Sequence, residues 1–122
     1  MSNILFVTGT DTGVGKTVVS TLLLTGLRQR GVDVKVVKPI ETGCRLDEAG
    51  ELVAADAVEL WKASGCVQTI DEVSPYRFLT AVAPNVAARK EDREINYSAL
   101  CQHIEEQSAS AELLIVKVRG DC

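Results

Sequence analysis

Eleven consecutive residues, Val7-Thr8-Gly9-Thr10-Asp11-Thr12-Gly13-Val14-Gly15-Lys16-Thr17, restrict the folds open to this chain more than any other stretch. An apolar run, Ile4-Leu5-Phe6-Val7, feeds this Gly-rich turn, and a long apolar-periodic segment follows from Val18. Strand, loop and helix in that order are the layout of a phosphate-binding loop. Glycines let the backbone bend around an anion with its N–H groups turned inward. The first turn of the next helix adds unpaired donors and the positive end of its dipole. Lys16 is then placed to reach terminal phosphates and the Thr17 hydroxyl to sit on Mg²⁺. The spacing is unusual: the commoner pattern has glycine where Thr10 stands, and here it comes one residue earlier, at Gly9. ATP-type phosphate binding is the expectation.

A chain of 122 residues suits one domain, large enough for a core but small for a complete doubly wound nucleotide-binding sheet. The 46% hydrophobic and 25% charged composition is that of a soluble globular protein. A formal net charge of −4 argues against nucleic acid or an acidic membrane as the main partner. Met1-Ser2-Asn3 lacks the basic region of a signal peptide, and no run approaches a membrane span. Cys44, Cys66, Cys101 and Cys122 are scattered without a C-x-x-C pair, and His103 is the single histidine. This argues against a zinc site and a disulfide framework, and for reduced thiols in a cytoplasmic protein. His103 is expected on a helix surface.

Val18, Leu22, Leu23 and Leu27 recur at helical spacing, which predicts a helix from about Lys16 to Arg30, stopped by Gly31. Val34 to Lys38 reads as a β-branched second strand ended by Pro39. Together they form a strand–helix–strand unit, expected to be parallel and right-handed. A polar loop from Glu41 to Gly50 precedes a helix from about Leu52 to Ala63. The stretch from Gly65 to Val82 reads as irregular. Pro84 opens a short helix to about Arg89, and Asn96 caps one from Tyr97 to about Gln107. Leu113-Leu114-Ile115-Val116 is a third, fully apolar strand, as a buried parallel sheet requires. With that strand as its last element, the sheet is expected to have an open edge and an uncovered apolar face.

Lys38 lies at the C-terminal end of the second strand, the ligand side of such sheets. By position alone it reads equally as a surface lysine beside a loop. Lys38-Pro39-Ile40-Glu41-Thr42-Gly43 is more specific: a cation on a rigid turn, then a hydroxyl and a permissive glycine. Asp56 is a candidate metal carboxylate, although a lone aspartate in a helix is more often simply solvated.

Taken together, Gly9 to Thr17, Lys38 to Gly43, Ala55-Asp56-Ala57, Ser74-Pro75-Tyr76-Arg77-Phe78 and Ala83-Pro84 resemble dethiobiotin synthetase in order and spacing, over residues 3 to 116. That family is a homodimeric P-loop enzyme of biotin biosynthesis. It joins CO₂ to 7,8-diaminononanoate with ATP and Mg²⁺, giving dethiobiotin, ADP and phosphate. The resemblance implies an α/β fold, a P-loop NTPase-like parallel sheet with flanking helices, incomplete at its C-terminal end and forming a single partial domain over 1–122. It implies that the backbone of Thr12, Gly13, Val14, Gly15, Lys16 and Thr17 cradles the phosphates. Thr12 and Lys16 would lie near the carbamate, and Lys16 would neutralise charge as the phosphoryl group moves. Lys38 would hold carbamate and γ-phosphate together with Thr42 nearby, and Thr17 and Asp56 would bind Mg²⁺. Such catalysis rests on positioning and charge neutralisation.

The pattern breaks after the third strand. Where the family continues Val-Glu-Gly-Ala-Gly-Gly, with the glutamate a further Mg²⁺ ligand, this chain reads Val116-Lys117-Val118-Arg119-Gly120-Asp121-Cys122. Loss of one base after the codon for Val116 converts codons for the family pattern into this ending, so 117–122 are expected to be an out-of-frame tail. The resemblance implies a longer protein, whose remainder holds further strands, adenine-recognising residues and much of the dimer contact. The expectation for this polypeptide alone is poor folding, aggregation and no synthetase activity. The alternative reading is an inactive nucleotide-binding fragment. Cobyrinic-acid amidating synthetases share the loop but add an amidotransferase domain, and ParA-like ATPases carry lysine where Asp11 stands.

Overall fold

The apolar run near the C-terminus takes the centre of the sheet. The computed structural model describes residues 3–8 and 14–118, the side chains of 14–19 excepted. Strand β1 (Asn3–Val7) is followed by α1 (Val14–Gln29), β2 (Val34–Val37), β3 (Ile40–Glu41), β4 (Arg45–Leu46) and β5 (Leu52–Val53). Then come α2 (Ala55–Ala63), α3 (Ile70–Val73), β6 (Tyr76–Arg77), α4 (Pro84–Lys90), α5 (Tyr97–Ala109) and β7 (Leu113–Lys117). The main sheet has the order β1-β7-β2, all parallel, with Leu5 opposite Ile115 on one side and Val36 opposite Ile115 on the other. So β1 and β2 run parallel as expected, but β7 lies between them.

Alternation along β7 sorts the core into two faces. Ile115 joins Val34 and Val36 of β2, Leu24 of α1, and Ala57 and Leu60 of α2 in the larger cluster, with Val7 packed against it. Leu114 and Val116 join Val37 and the half-buried Ile104 of α5 on the other face. Each fully buried Leu or Ile contributes roughly 1.5–3 kcal/mol by removal from water. A satellite cluster of Phe78, Ala87 and Ala88 lies under α4.

The two sheet edges are treated differently. Along β2, the buried amide of Gln68 takes the place of a strand: Val36 N–H donates to Gln68 Oε1 at 3.1 Å, and Gln68 Nε2 donates to the Val36 carbonyl at 2.9 Å. Gln68 Nε2 also reaches Gln107 Oε1 at 2.9 Å, and Lys38 N–H donates to the Val73 carbonyl at 2.7 Å. That edge is sealed against pairing. Among the described residues the open edge is β1, not the last strand: Ile4, Leu5 and Phe6 are 40%, 42% and 58% exposed, so both faces of β1 present apolar side chains.

Several boundaries differ from the sequence expectations. The first helix starts earlier, at Val14, and the second later, at Ala55, because Leu52–Val53 pair antiparallel with Arg45–Leu46 inside the expected loop. The stretch read as irregular contains α3 and β6. Helix α3 is a single turn held by a capping box: Glu72 N–H donates to Thr69 Oγ1 and Thr69 N–H to Glu72 Oε1. His103 is half-buried, with Nε2 donating to the Glu72 carbonyl at 2.7 Å, rather than standing free on a helix surface. No described helix is long and apolar enough to cross a membrane.

Candidate functional site

Strand β2 ends at Val37 because Pro39 has no N–H to continue a ladder. Lys38 is therefore fixed at the carboxyl end of the sheet, and it is only 6% exposed. Its ammonium lies 2.9 Å from Asp56 Oδ2, in the first turn of α2, and 3.6 Å from Glu41 Oε1. The structure thus brings together two sequence candidates from separate elements, Lys38 and Asp56.

A third residue, Glu41, organises them and was given no role by the sequence reading. Helix α2 has Ala54 at its N-cap, a side chain that cannot accept a hydrogen bond. Glu41 supplies the cap from a distance: its Oε2 accepts from Asp56 N–H at 3.1 Å and its Oε1 from Ala57 N–H at 3.0 Å. The signal for it was an Ala-Ala helix start, which needs an acceptor from elsewhere. Burial pushes the Glu41 carboxyl above its ordinary value, outweighing the Lys38 charge and the two backbone donors, and the Asp56 carboxylate adds to the rise.

The segment carrying these groups is tied down by the 76–78 strand region. Strand β3 pairs parallel with β6, Phe78 N–H donates to the Glu41 carbonyl at 2.8 Å, and Cys44 N–H donates to the Phe78 carbonyl at 3.0 Å. Gly43 turns the chain at φ 71°, a conformation that favours glycine, and a Cβ there would also sit tightly against the Ala81 Cβ at 3.3 Å. Thr42, between Glu41 and Gly43 in sequence, is partly buried. The buried Cys44 thiol donates to the Glu41 carbonyl, and burial together with the Glu41 charge pushes its pKa up to about 11 from 9.0. That lowers its thiolate fraction at pH 8 by about 100-fold, so thiol reagents should modify exposed Cys66 and Cys101 rapidly and Cys44 only on unfolding. Timed alkylation with mass spectrometry checks this; Cys44 modified at the rate of Cys66 would refute the packing described.

Of the other sequence candidates, Thr12 and Gly13 lie outside the described residues. Val14, Gly15, Lys16 and Thr17 form the first turn of α1, and their side chains lie outside the description. Lys117, in the slot where a metal-binding glutamate was expected, is buried at the end of the central strand, opposite Val7.

Of the two residues expected to hold a divalent cation, Asp56 is already engaged and the Thr17 side chain lies outside the described residues. Asp56 is bonded to an ammonium, Glu41 is occupied by two backbone N–H groups and the same ammonium, and a lysine ends the neighbouring strand. Among the described residues no three His, Cys, Asp or Glu side chains converge as a metal site.

A family model described as an AAA domain matches residues 3–120. The chain is 40% identical over 116 residues to the ATP-dependent dethiobiotin synthetase BioD of Anaeromyxobacter sp. (strain K), covering 95% of this chain and 50% of that protein. To the protein of the same name from Aquifex aeolicus it is 38% identical over 117 residues, 95% of this chain and 49% of the relative. To that from Rhodopirellula baltica it is 41% identical over 96 residues, 79% and 38%. The chain spans about half the length of the curated relatives it matches. With a parallel sheet and flanking helices over the matched residues, the chain belongs to this AAA-domain family, and the relatives it resembles are named ATP-dependent dethiobiotin synthetases.

Proposed function

We propose that this chain carries the phosphate- and carbamate-binding part of a dethiobiotin synthase, the cytoplasmic, homodimeric enzyme that converts 7,8-diaminononanoate, CO₂ and ATP into dethiobiotin, ADP and phosphate. The observation that carries the reading is the Lys38–Asp56–Glu41 cluster at the carboxyl ends of the strands, on the segment whose motif matches the family. In this reading the backbone of 12–17 holds the nucleotide phosphates. A carbamate formed on one amine of the substrate lies between Thr12, Lys16 and Lys38, with Thr42 beside it. Lys38 exchanges its Asp56 partner for the carbamate and the arriving γ-phosphoryl oxygens, and Lys16 neutralises the charge that develops during transfer. The second amine then closes the ring and expels phosphate. Glu41 keeps α2 and Lys38 in register throughout.

Mg²⁺, bound by Thr17 and Asp56 in the family pattern, supplies charge neutralisation of the phosphates. In this chain Lys38 already engages Asp56. Lys117 favours a second reading, a phosphate-binding protein without turnover.

Size-exclusion chromatography followed by incubation of the folded peak with 7,8-diaminononanoate, bicarbonate, ATP and Mg²⁺ separates the two. Dethiobiotin formed in step with ADP supports the synthase. ATP binding without product supports the second reading. A folded peak that neither binds ATP nor forms product sinks both.

A further inference from the structure

We propose that strand β1 pairs with β1 of a second copy of this chain, antiparallel about a two-fold axis at Leu5, so that two three-stranded sheets join into one. The inference makes no use of the nucleotide site and stands apart from the function proposed above.

Backbone geometry is the first argument. Among the described residues β7 is the one neighbour of β1. Val118 N–H donates to the Val7 carbonyl, so Val7 turns its backbone polar groups toward β7. Successive residues of a strand turn theirs to opposite sides. Asn3 and Leu5 therefore face β7 as Val7 does, while Ile4 and Phe6 direct N–H and C=O to the free edge. With Leu5 opposite its counterpart in the second copy, Ile4 falls opposite Phe6. Each of these Ile4–Phe6 pairs can then exchange both of its N–H···O bonds.

Side chains match in the same register. Ile4 and Phe6 alternate with Val7 and so lie on the face of Val37, Leu114 and Val116, whose cluster includes no β1 residue. Pairing sets Ile4 beside Phe6 on that face, an aromatic and β-branched cross-strand pair. On the other face Leu5 meets Leu5 on the side of α1, whose Leu22 and Leu23 are 66% and 37% exposed. A two-fold axis perpendicular to the sheet keeps both α1 helices on that side. Asn3–Val7 and Ser20–Leu27 contain no charged residue in a chain that is 25% charged, so self-pairing meets no like-charge repulsion.

Area and closure select a dimer. Covering these side chains and the strand edge on both copies removes roughly 1,000 Å² from water, the lower bound for a specific interface. A head-to-tail addition would have to use the β2 edge, where the Gln68 amide already occupies the N–H and C=O of Val36. Two-fold pairing consumes both β1 edges and leaves a sealed β2 at each end, so the assembly stops at two chains.

The test is sedimentation of the full chain over a range of concentrations, with crosslinking to check the register. The expected result is a monomer–dimer equilibrium with the dimer as the largest species. Phe6→Lys should raise the dimer dissociation constant at least about tenfold. That residue is 58% exposed in a single copy, so the change spares the core. Leu46→Lys, at an exposed leucine of the β4–β5 hairpin, should leave the constant unchanged. Leu5→Cys, with Cys66, Cys101 and Cys122 changed to serine, should oxidise to a covalent dimer, because a non-hydrogen-bonded antiparallel pair brings Cα atoms to about 4.5 Å. A monomer at every concentration, assemblies larger than the dimer, or a dimer that survives Phe6→Lys and fails to crosslink through Leu5→Cys would overturn the proposal. A monomer that binds one-to-one the separately expressed unmatched half of the Anaeromyxobacter sp. (strain K) relative would assign the edge to that segment instead. If Leu5→Cys does not fold, Phe6→Lys against Leu46→Lys still decides.

Discussion

Lys38→Met is expected to lower the stability of the chain by about 3–5 kcal/mol, the range for removing one partner of a buried ion pair. Methionine matches the lysine stem in length, so packing along the stem survives and the effect isolates the charge. What remains is Glu41, buried, and Asp56, partly buried, without the Lys38 ammonium that bridged them. Glu41 already titrates above its ordinary 4.5 because burial disfavours its charged form, and Lys38 is the main influence opposing that rise. Removing Lys38 raises it further. The sign of the pH dependence follows. A carboxyl with a raised folded-state pKa binds its proton more tightly when folded, so its contribution favours folding below 4.5 and declines as pH rises through the folded value. Urea unfolding of Lys38→Met should therefore show a smaller deficit at pH 5 than at pH 8. Adding Glu41→Gln should recover part of the loss at pH 8, because the amide still offers one acceptor to the start of α2. A deficit below about 1 kcal/mol at pH 8 would mean that the cluster is solvated and that Lys38 is an ordinary surface cation.

The sequence announced the elements that depend on neighbours in the chain and was silent on those that depend on neighbours in space. The four apolar residues from Leu113 declared a buried strand, but nothing local says that β7 inserts between β1 and β2, because parallel partners are far apart in sequence. The open edge was foreseen and assigned to the wrong strand for the same reason. Thr69-x-x-Glu72 was a readable capping box inside a stretch taken as irregular, whereas β6, two residues long, is too short for any periodicity. Lys38 and Asp56 are candidates by position and receive roles through a family resemblance, yet their direct pairing is a tertiary fact. Glu41 and Gln68 went unnoticed because each serves a backbone remote in sequence: Glu41 caps a helix that starts at Ala55, and Gln68 closes the edge of β2 at Val36. A missing local cap before α2 was the one clue that an acceptor had to come from elsewhere.

That remote support makes Phe78 the other position where a single change should be felt most. Phe78→Ala is expected to cost about 3–5 kcal/mol, the range for truncating a fully buried aromatic side chain. The ring is 0% exposed, lies parallel to Tyr76 at 6.4 Å between centroids, and carries the Arg93 guanidinium 4.5 Å above its face. Truncation opens a cavity against Ala87 and Ala88 and leaves Arg93 without its ring. Phe78→Leu fills most of the volume and loses mainly the aromatic contacts, about 1–2 kcal/mol in sum. The effect should also reach the site, because the Phe78 backbone bonds both Glu41 and Cys44. A cavity that loosens this segment lets the Lys38–Glu41–Asp56 cluster open before the rest of the chain unfolds. Cys44, buried beside Glu41, reports that opening: in Phe78→Ala its alkylation should accelerate more than global stability alone predicts, and in Phe78→Leu it should not. Urea unfolding and timed alkylation on the same samples separate the two effects. Equal cost for both variants, with Cys44 silent in each, would mean that the Phe78 cluster packs independently and that Glu41 is held by α2 and Lys38 alone.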